Sequence, residues 1–243
     1  MVSPLRTVVR LIVALLVVAA LSACSSGKSD DKSSLVPSQG RASQIAHAAL
    51  VEAGDLTGEW QLFGTDNFRN DDATLPDNGN CAAARTLAAD MTKANISRAE
   101  RALQLTLPGY NSRAQIEMHV RIFDTAVTAQ DFLRRNRSVQ TGDSYIRCLS
   151  DGLATQFGAN ARVRSGDSHG KAPRDGVAAA FDQDLKVEDT VYQIHIDSFA
   201  WAQDNAYILV LITAPRGLDS DDFVKEALDK VQQKLDAAFK LPQ

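Results

Sequence analysis

Near its C-terminal end the chain runs Ala206-Tyr207-Ile208-Leu209-Val210-Leu211-Ile212-Thr213, a stretch that is continuously apolar. Such a run is typical of a strand in the centre of a sheet, where both faces are covered. Before it, Val191 to Ser198 alternates with a period of two, which is the pattern of a half-buried strand. One face of this strand would carry Tyr192, Ile194 and Ile196, and the other would carry Gln193, His195 and Asp197.

The neighbouring segments extend this pattern into a complete domain. Asp219 or Ser220 begins a long amphipathic helix, which should lie across the sheet. Other strands are expected at Gln115 to Ile122, near Ala161 to Ser165 and at Val177 to Asp182, and other helices at Ser43 to Val51, Ala82 to Met91, Thr128 to Arg137 and Tyr145 to Phe157. Because short turns rich in Asp, Asn and Gly join consecutive strands, we predict an α+β fold, a curved antiparallel sheet with helices packed mainly on one face.

The first residues have the features of an export signal. Arg6 and Arg10 precede an apolar run, Leu11 to Leu21, which is shorter than the ~20 residues of a membrane span. The run closes with Leu21-Ser22-Ala23-Cys24, the pattern at which bacterial lipoproteins are cleaved and acylated. We predict a signal peptide over residues 1–23 and a lipid on Cys24, which would hold the protein at the extracytoplasmic face of the cell membrane. An ordinary secretory signal with a coincidental cysteine is the alternative.

The residues after Cys24 divide into a tether and a domain. Residues 24–42 are rich in Ser, Lys, Asp and Gly and cannot bury enough apolar surface to offset ordering, so we expect a flexible, lipid-anchored tether. Residues 43–243 are expected to form a single secreted domain, which is long enough for one well-buried core.

The cysteine count indicates a disulfide. If Cys24 carries lipid, Cys81 and Cys148 remain as an even pair in an oxidising compartment, where disulfides form and persist. We predict that they are bonded. Two buried free thiols remain possible, whereas metal ligation is disfavoured because the chain has no C-x-x-C spacing.

The charge balance argues against nucleic acid as a partner. The chain has 26 Lys and Arg residues against 30 Asp and Glu residues, a net charge of −4, and cleavage of the signal would remove Arg6 and Arg10. The one basic cluster, residues 134–137, falls at the end of a predicted helix, where positive charge complements the helix dipole. Nucleic-acid binding normally requires a larger basic patch.

The layout of the chain resembles a known class of protein. The order of its features is that of secreted lipoproteins of mycobacteria and related actinobacteria. These features are the lipoprotein motif, the polar tether, the segment Asp55-Leu56-Thr57-Gly58-Glu59-Trp60, a cysteine before one helix and a second cysteine within a later helix. Those proteins are similar to the extracellular sensor domain of PknH-type kinases. The resemblance implies an antiparallel sheet with flanking helices, disulfides that hold the helices, and a cleft that takes a ligand. This chain has one cysteine pair where the kinase domain has two. A relationship to PsbP-like lipoproteins is therefore an alternative interpretation.

No complete catalytic motif accompanies this layout. Ser168-His169-Gly170-Lys171 matches the Ser-x-x-Lys pattern of penicillin-recognising enzymes, but it falls in a predicted Gly-rich loop and lacks the companion motifs. His195 and Asp197 share a strand face and could form a metal site or an acid/base couple. Two ligands do not make a site, and His47, His119 or His169 could join only if the fold delivered them. We therefore expect no metal and no cofactor, and a solvated strand face at His195.

Together these features predict a tethered, non-catalytic binding or sensing module. Its partner would be a small envelope ligand or a protein, held in a cleft near Trp60, Tyr192, His195, Asp197 and Trp201. An envelope hydrolase that uses His195 and Asp197 is one alternative. A lipid carrier is another, and it would need a large apolar cavity.

Overall fold

The computed structural model describes residues 37–63, 75–108, 113–157, 161–187 and 190–241. The predicted signal peptide, Cys24 and residues 24–36 of the predicted tether lie outside these ranges. Within them, no helix has the length and apolar character needed to cross a membrane.

Seven strands of the described chain form one antiparallel sheet in the order β1-β2-β3-β7-β6-β5-β4. They are β1 (Gln61–Leu62), β2 (Ser97–Thr106), β3 (Arg113–Ile122), β4 (Ala161–Gly166), β5 (Val177–Val187), β6 (Thr190–Gln203) and β7 (Ala206–Pro215). The continuously apolar stretch forms β7, and it lies in the middle of the sheet as predicted, because both of its faces are covered by helices.

Five α-helices of the described chain cover the two faces of the sheet. They are α1 (Gln39–Ala48), α2 (Ala82–Ala94), α3 (Ala126–Gln140), α4 (Asp143–Phe157) and α5 (Asp221–Phe239). Helices α1 and α5 pack on one face, and α2, α3 and α4 pack on the other. We call these the α1–α5 face and the α2–α4 face. The α+β class is therefore confirmed, and the helices divide two to three between the faces, because β7 and β6 present apolar side chains on both sides.

The α1–α5 face holds the largest apolar cluster. Phe199 and Trp201 of β6 are fully buried beside Ile208 and Val210 of β7. Helix α5 lies across them through apolar residues spaced three and four apart, including Val224 and Val231. Fully burying side chains of this size stabilises the fold by roughly 1.5–3 kcal/mol each.

The predicted disulfide between Cys81 and Cys148 is present, with the two Cα atoms 4.8 Å apart. It joins the start of α2 to the middle of α4 and closes a loop of 67 residues. In the chain-entropy model a loop of that length stabilises the folded state by about 4 kcal/mol. The bond therefore fixes the spacing of two helices on the α2–α4 face.

Three elements differ from the prediction. Helix α1 begins at Gln39 rather than Ser43, because the Ser38 hydroxyl accepts a hydrogen bond from the Arg41 amide and caps the first turn. Helix α3 begins at Ala126 rather than Thr128, because Thr125 is the capping residue and accepts from the Thr128 amide. Strand β2 has no counterpart among the predicted strands.

Candidate functional site

The structure does not bring the five predicted cleft residues together. Trp60 and Trp201 are both buried in the apolar cluster of the α1–α5 face. The Trp60 indole donates a hydrogen bond to the Thr57 carbonyl oxygen, and Phe223 packs against its ring. Tyr192 lies on the opposite face, half-buried against the apolar cluster under α4. Only His195 and Asp197 are neighbours of one another.

His195 and Asp197 belong to a four-residue group on the α1–α5 face that we call the His195 cluster. It consists of His169, Asp182, His195 and Asp197. The His195 Nδ1 atom lies 2.9 Å from the Asp182 carboxylate, and its Nε2 atom lies 3.3 Å from Asp197 Oδ2. His169 adds its backbone amide, 3.0 Å from Asp197 Oδ1, and its Nδ1 atom, 2.9 Å from Asp197 Oδ2. Of the three histidines outside β6, the fold therefore brings one, His169, to His195 and Asp197.

The expectation of a solvated face at His195 is wrong. His195 is 6% exposed and Asp197 is 1% exposed. The cause is the segment between β4 and β5, which folds back over the sheet so that Gly170 lies directly against Phe199 and Val224. A side chain at position 170 would meet both of these residues, so the glycine allows the segment to approach the sheet.

Ionic contacts set the protonation of the cluster. Burial alone would raise the pKa of Asp197, but its contacts with the His195 and His169 rings outweigh burial and hold the pKa below its usual range. Burial alone would lower the pKa of His195, but the Asp197 and Asp182 carboxylates raise it above its usual value. The Asp182 pKa is lowered in turn, since hydrogen bonds from His195 and Arg164 overcome its partial burial. Both carboxylates are consequently ionised at neutral pH.

The Ser-x-x-Lys match lies in this same segment and lacks catalytic geometry. Ser168 and Lys171 are in a loop and not at the start of a helix. The Ser168 hydroxyl donates a hydrogen bond to the Gly170 carbonyl oxygen at 3.1 Å. The serine is therefore engaged with the backbone of its own loop.

A second candidate site lies on the α2–α4 face, between α2, α3 and the sheet. We call it the β3 pocket, because His119 and Arg121 of β3 form its floor. Its apolar walls include Leu87 and Met91 of α2 and Val139 of α3. The cavity is about 40 Å³, which is room for about three waters.

The floor of the β3 pocket carries charges that are deeply buried. His119 is 3% exposed, and its Nδ1 atom lies 3.3 Å from Glu100 of β2 while its Nε2 atom lies 3.7 Å from Glu117. Burial opposes charge on Glu100, but His119 and then Arg121 lower its pKa to about 2. Burial likewise opposes charge on His119, but Glu100 and Glu117 raise its pKa to about 9. His119 is therefore an imidazolium at neutral pH, paired chiefly with Glu100.

The other floor groups remain partly unsatisfied. Burial raises the pKa of Glu117 by more than its contact with His119 lowers it, so this carboxyl tends towards the neutral form. Arg121 Nη1 and Asn136 Nδ2 are buried donors without a hydrogen-bond partner among the described residues. Gln140 donates to the Ser198 hydroxyl at 2.9 Å, while its own buried carbonyl oxygen has no partner in the described chain. Buried polar groups of this kind are nearly always hydrogen-bonded in folded proteins.

A shallow groove of about 340 Å³ continues from the pocket over the outer surface of α2 and α3. It shares Leu87 and Val139 with the pocket. Arg134 and Arg135 flank it, in ion pairs with Asp131 and Asp90. Both arginines lie within α3, and each is paired with one of these carboxylates.

The sequence marks the floor of the β3 pocket only by the polar residues of β3, and their spacing alone predicts a face exposed to solvent. Gln115, Glu117, His119 and Arg121 alternate with the apolar residues of β3, which usually marks a strand face open to water. In the fold all four are buried under the helices of the α2–α4 face. Period-two alternation cannot show whether a helix covers the polar face, so this pocket could not be found from the strand alone.

Comparisons with known proteins give few matches. No protein-family model matches the chain, and no curated protein matches it by sequence. Among solved structures, the extracellular domain of PknH from Mycobacterium tuberculosis is similar at 14% identity and a TM-score of 0.43, over 79% of this chain and 97% of that one. LpqN, involved in cell envelope biogenesis in the same organism, is similar at 10% identity and a TM-score of 0.25, over 75% of this chain and 78% of that one. The first is the extracellular domain of the kinase type that the sequence layout resembles.

Proposed function

We propose that this chain is a non-catalytic binding module of the cell envelope, and that the β3 pocket holds its ligand. The observation that carries the proposal is the pair of buried, partnerless donors, Arg121 Nη1 and Asn136 Nδ2, at the bottom of an opening between helices. Leaving a buried polar group unsatisfied costs about 1–3 kcal/mol, and more for a charged one. A ligand that accepts hydrogen bonds from both donors would recover that free energy.

The charges of the floor favour an anionic head group. His119 and Glu100 neutralise one another, and the raised pKa of Glu117 favours its uncharged form. Glu100 then faces two cations, His119 and Arg121, so the floor has a net positive charge in a site shielded from water. The planar guanidinium is well suited to phosphate and carboxylate groups.

The walls favour an apolar group attached to that head group. Leu87, Met91 and Val139 give the pocket an apolar lining, and the outer groove begins at two of these residues. A compact anionic head could sit in the cavity while a short apolar stem runs into the groove. Since the cavity holds only about three waters, it gives no support to the lipid-carrier alternative.

The protonation states argue against catalysis in the pocket. His119 is already protonated at neutral pH and cannot accept a proton there. Burial raises the pKa of Tyr145 and of Tyr207 further from neutrality, so neither phenol would ionise to act as a base. For the hydrolase alternative with His195 and Asp197, the nearby Ser168 hydroxyl is not placed as a nucleophile, because it donates its hydrogen bond to the carbonyl oxygen of Gly170 in its own loop.

The ligand can be tested with minimal probes. Titration calorimetry of the full chain with butyl phosphate, butyrate and 1-butanol should give binding for the two anions and none for the alcohol. Arg121→Met should weaken anion binding about tenfold or more, because a hydrogen bond to a charged group contributes about 1.5–3 kcal/mol. Arg147→Met, at an exposed position of α4, is the matched control and should bind like the wild type. Equal affinity in all three proteins would refute the site, and conversion of a probe would replace binding with catalysis.

The cellular location of the protein belongs to the same proposal. Leu21-Ser22-Ala23-Cys24 supports acylation of Cys24 and attachment to the extracytoplasmic face of the membrane. Two or three acyl chains would anchor the domain stably, at about 0.8 kcal/mol for each buried methylene. Labelling with a clickable fatty acid should mark the wild type and not Cys24→Ala. If the Cys24→Ala variant is still labelled and still partitions into membranes, the predicted acylation of Cys24 is wrong.

A further inference from the structure

We infer that the His195 cluster is a binding site for a divalent transition-metal ion of the zinc type, with His169, His195 and Asp197 as its ligands. This site lies on the face of the sheet opposite the β3 pocket and is independent of the function proposed above. The sequence predicted no metal, because only two possible ligands share β6. The third comes from the segment between β4 and β5, 26 residues before His195 in the chain.

The three ligand atoms are close enough to share one ion. One donor atom from each residue lies within 4.8 Å of the other two. Two of the separations are shorter, at 2.9 Å from Asp197 Oδ2 to His169 Nδ1 and 3.3 Å to His195 Nε2. Ligands at tetrahedral angles around zinc, with bonds of about 2.1 Å, stand about 3.4 Å apart. Two of the separations are near that value, and the third, at most 4.8 Å, would have to shorten by rotation of the partly exposed His169 side chain.

The hydrogen bond between His195 and Asp182 orients the ring as a metal ligand requires. Because the Asp182 carboxylate lies 2.9 Å from Nδ1, that nitrogen carries the proton and donates it. The buried Nε2 atom then lies 3.3 Å from Asp197 Oδ2, in a contact that lacks the geometry of a hydrogen bond. A carboxylate behind a histidine that ligates metal is the usual outer-shell arrangement, and it orients the ring and strengthens the ligand.

A hydrogen-bonded clamp does not account for all of this geometry. The bonds from His169 to Asp197 would hold the segment onto the sheet without a metal. They leave His195 Nε2 with only a 3.3 Å contact to Asp197 Oδ2 that lacks the geometry of a hydrogen bond, which is unfavourable at a buried position. An ion would satisfy that nitrogen and replace the proton now shared by His169 Nδ1 and Asp197 Oδ2. The clamp and the metal site therefore differ in what they predict for His195.

The surroundings suit a bound ion that retains one open position. Gly166 of β4 lies against His195, and a Cβ atom there would approach the ring to 3.1 Å, so the glycine leaves room for the histidine. Arg164 contacts Asp182 at 3.2 Å and holds the outer carboxylate in place. The His169 side chain is 31% exposed, which leaves a path for water to the fourth ligand position.

The donor set selects the class of metal. Two imidazoles and one carboxylate suit zinc, copper and nickel, whereas magnesium and calcium prefer sites built from oxygen alone. In a zinc site with three protein ligands the fourth position takes water or another small molecule. The ion would also join the segment between β4 and β5 to β6.

Calorimetry on the full chain, prepared without a histidine tag and stripped with a chelator, tests this site. Titration with zinc chloride should show one bound ion per chain, and magnesium chloride should show none. His169→Ala should weaken zinc binding by about tenfold or more, and Asp182→Asn should weaken it by about 10–100-fold through loss of the outer carboxylate. His47→Ala is the matched control, because His47 is an exposed histidine of α1 outside the cluster.

The outcomes separate the metal site from the clamp and from adventitious binding. Zinc binding that falls in His169→Ala and Asp182→Asn but not in His47→Ala supports the site. Absence of zinc binding in the wild type, unchanged affinity in His169→Ala, or an equal loss in His47→Ala would overturn it. If His169→Ala does not fold, Asp182→Asn decides the question, since it keeps all three ligands and a side chain of nearly the same shape.

Discussion

The two faces of the sheet differ in what they bury. On the α1–α5 face, β3 contributes Ile116, Met118, Val120 and Ile122 to a continuous apolar cluster. On the α2–α4 face the same strand contributes Gln115, Glu117, His119 and Arg121, all of them buried. An apolar core would be more stable than a half-satisfied polar one. This difference is what our proposal of a binding site on the α2–α4 face would require, since polar residues at functional sites lower stability.

Truncation of the apolar face should have the largest effect. Trp201→Ala removes a fully buried indole from the α1–α5 face and should lower the free energy of unfolding by about 3–5 kcal/mol. Urea denaturation followed by circular dichroism measures it. Val127→Ala, at a position 78% exposed, should change stability by less than about 0.5 kcal/mol. A similar small loss in both variants would mean that this face does not dominate stability.

Removal of the disulfide on the α2–α4 face should have the next largest effect on stability. The double variant Cys81→Ala, Cys148→Ala should lose about 4 kcal/mol, because the 67-residue loop is no longer closed in the unfolded state. Treatment of the wild type with a reductant should lower its melting temperature in the same way. The prediction fails if alkylation of the denatured, non-reduced protein modifies both of these cysteines.

The buried ion pair should give the polar face a pH dependence. The His119 pKa is about 9 in the fold against an ordinary 6.5, so its contribution to stability is complete below pH 6.5 and is lost as the pH rises to about 9. The slope for one such group is at most about 1.4 kcal/mol per pH unit. His119→Gln should remove this slope and His47→Gln should keep it. Equal pH profiles for the wild type and His119→Gln would contradict the ion pair.

The two faces also differ in how far the sequence could predict them. The central position of β7 is predicted by an unbroken apolar run, and the long helix α5 by its period. Strand β2 was missed because Ser97 to Thr106 is rich in Ala, Glu, Arg and Leu, which favour helices in isolation, and here strand pairing overrides that preference. The His195 cluster and the β3 pocket depend on contacts between segments that are distant in the sequence. The hydrophobic periodicity of a single segment does not show which distant segments it contacts.

The polar floor of the β3 pocket is, in our interpretation, kept for a ligand at a cost in stability. Arg121→Met tests this interpretation most directly. It replaces a buried guanidinium, whose Nη1 atom has no hydrogen-bond partner in the described chain, with an apolar side chain of similar length. Urea denaturation and butyl phosphate titration should be carried out on the same preparation of this variant. We expect an unfolding free energy equal to or above that of the wild type, together with affinity weakened about tenfold or more. A variant that loses several kcal/mol of stability and still binds butyl phosphate normally would show that the floor serves the fold and not a ligand.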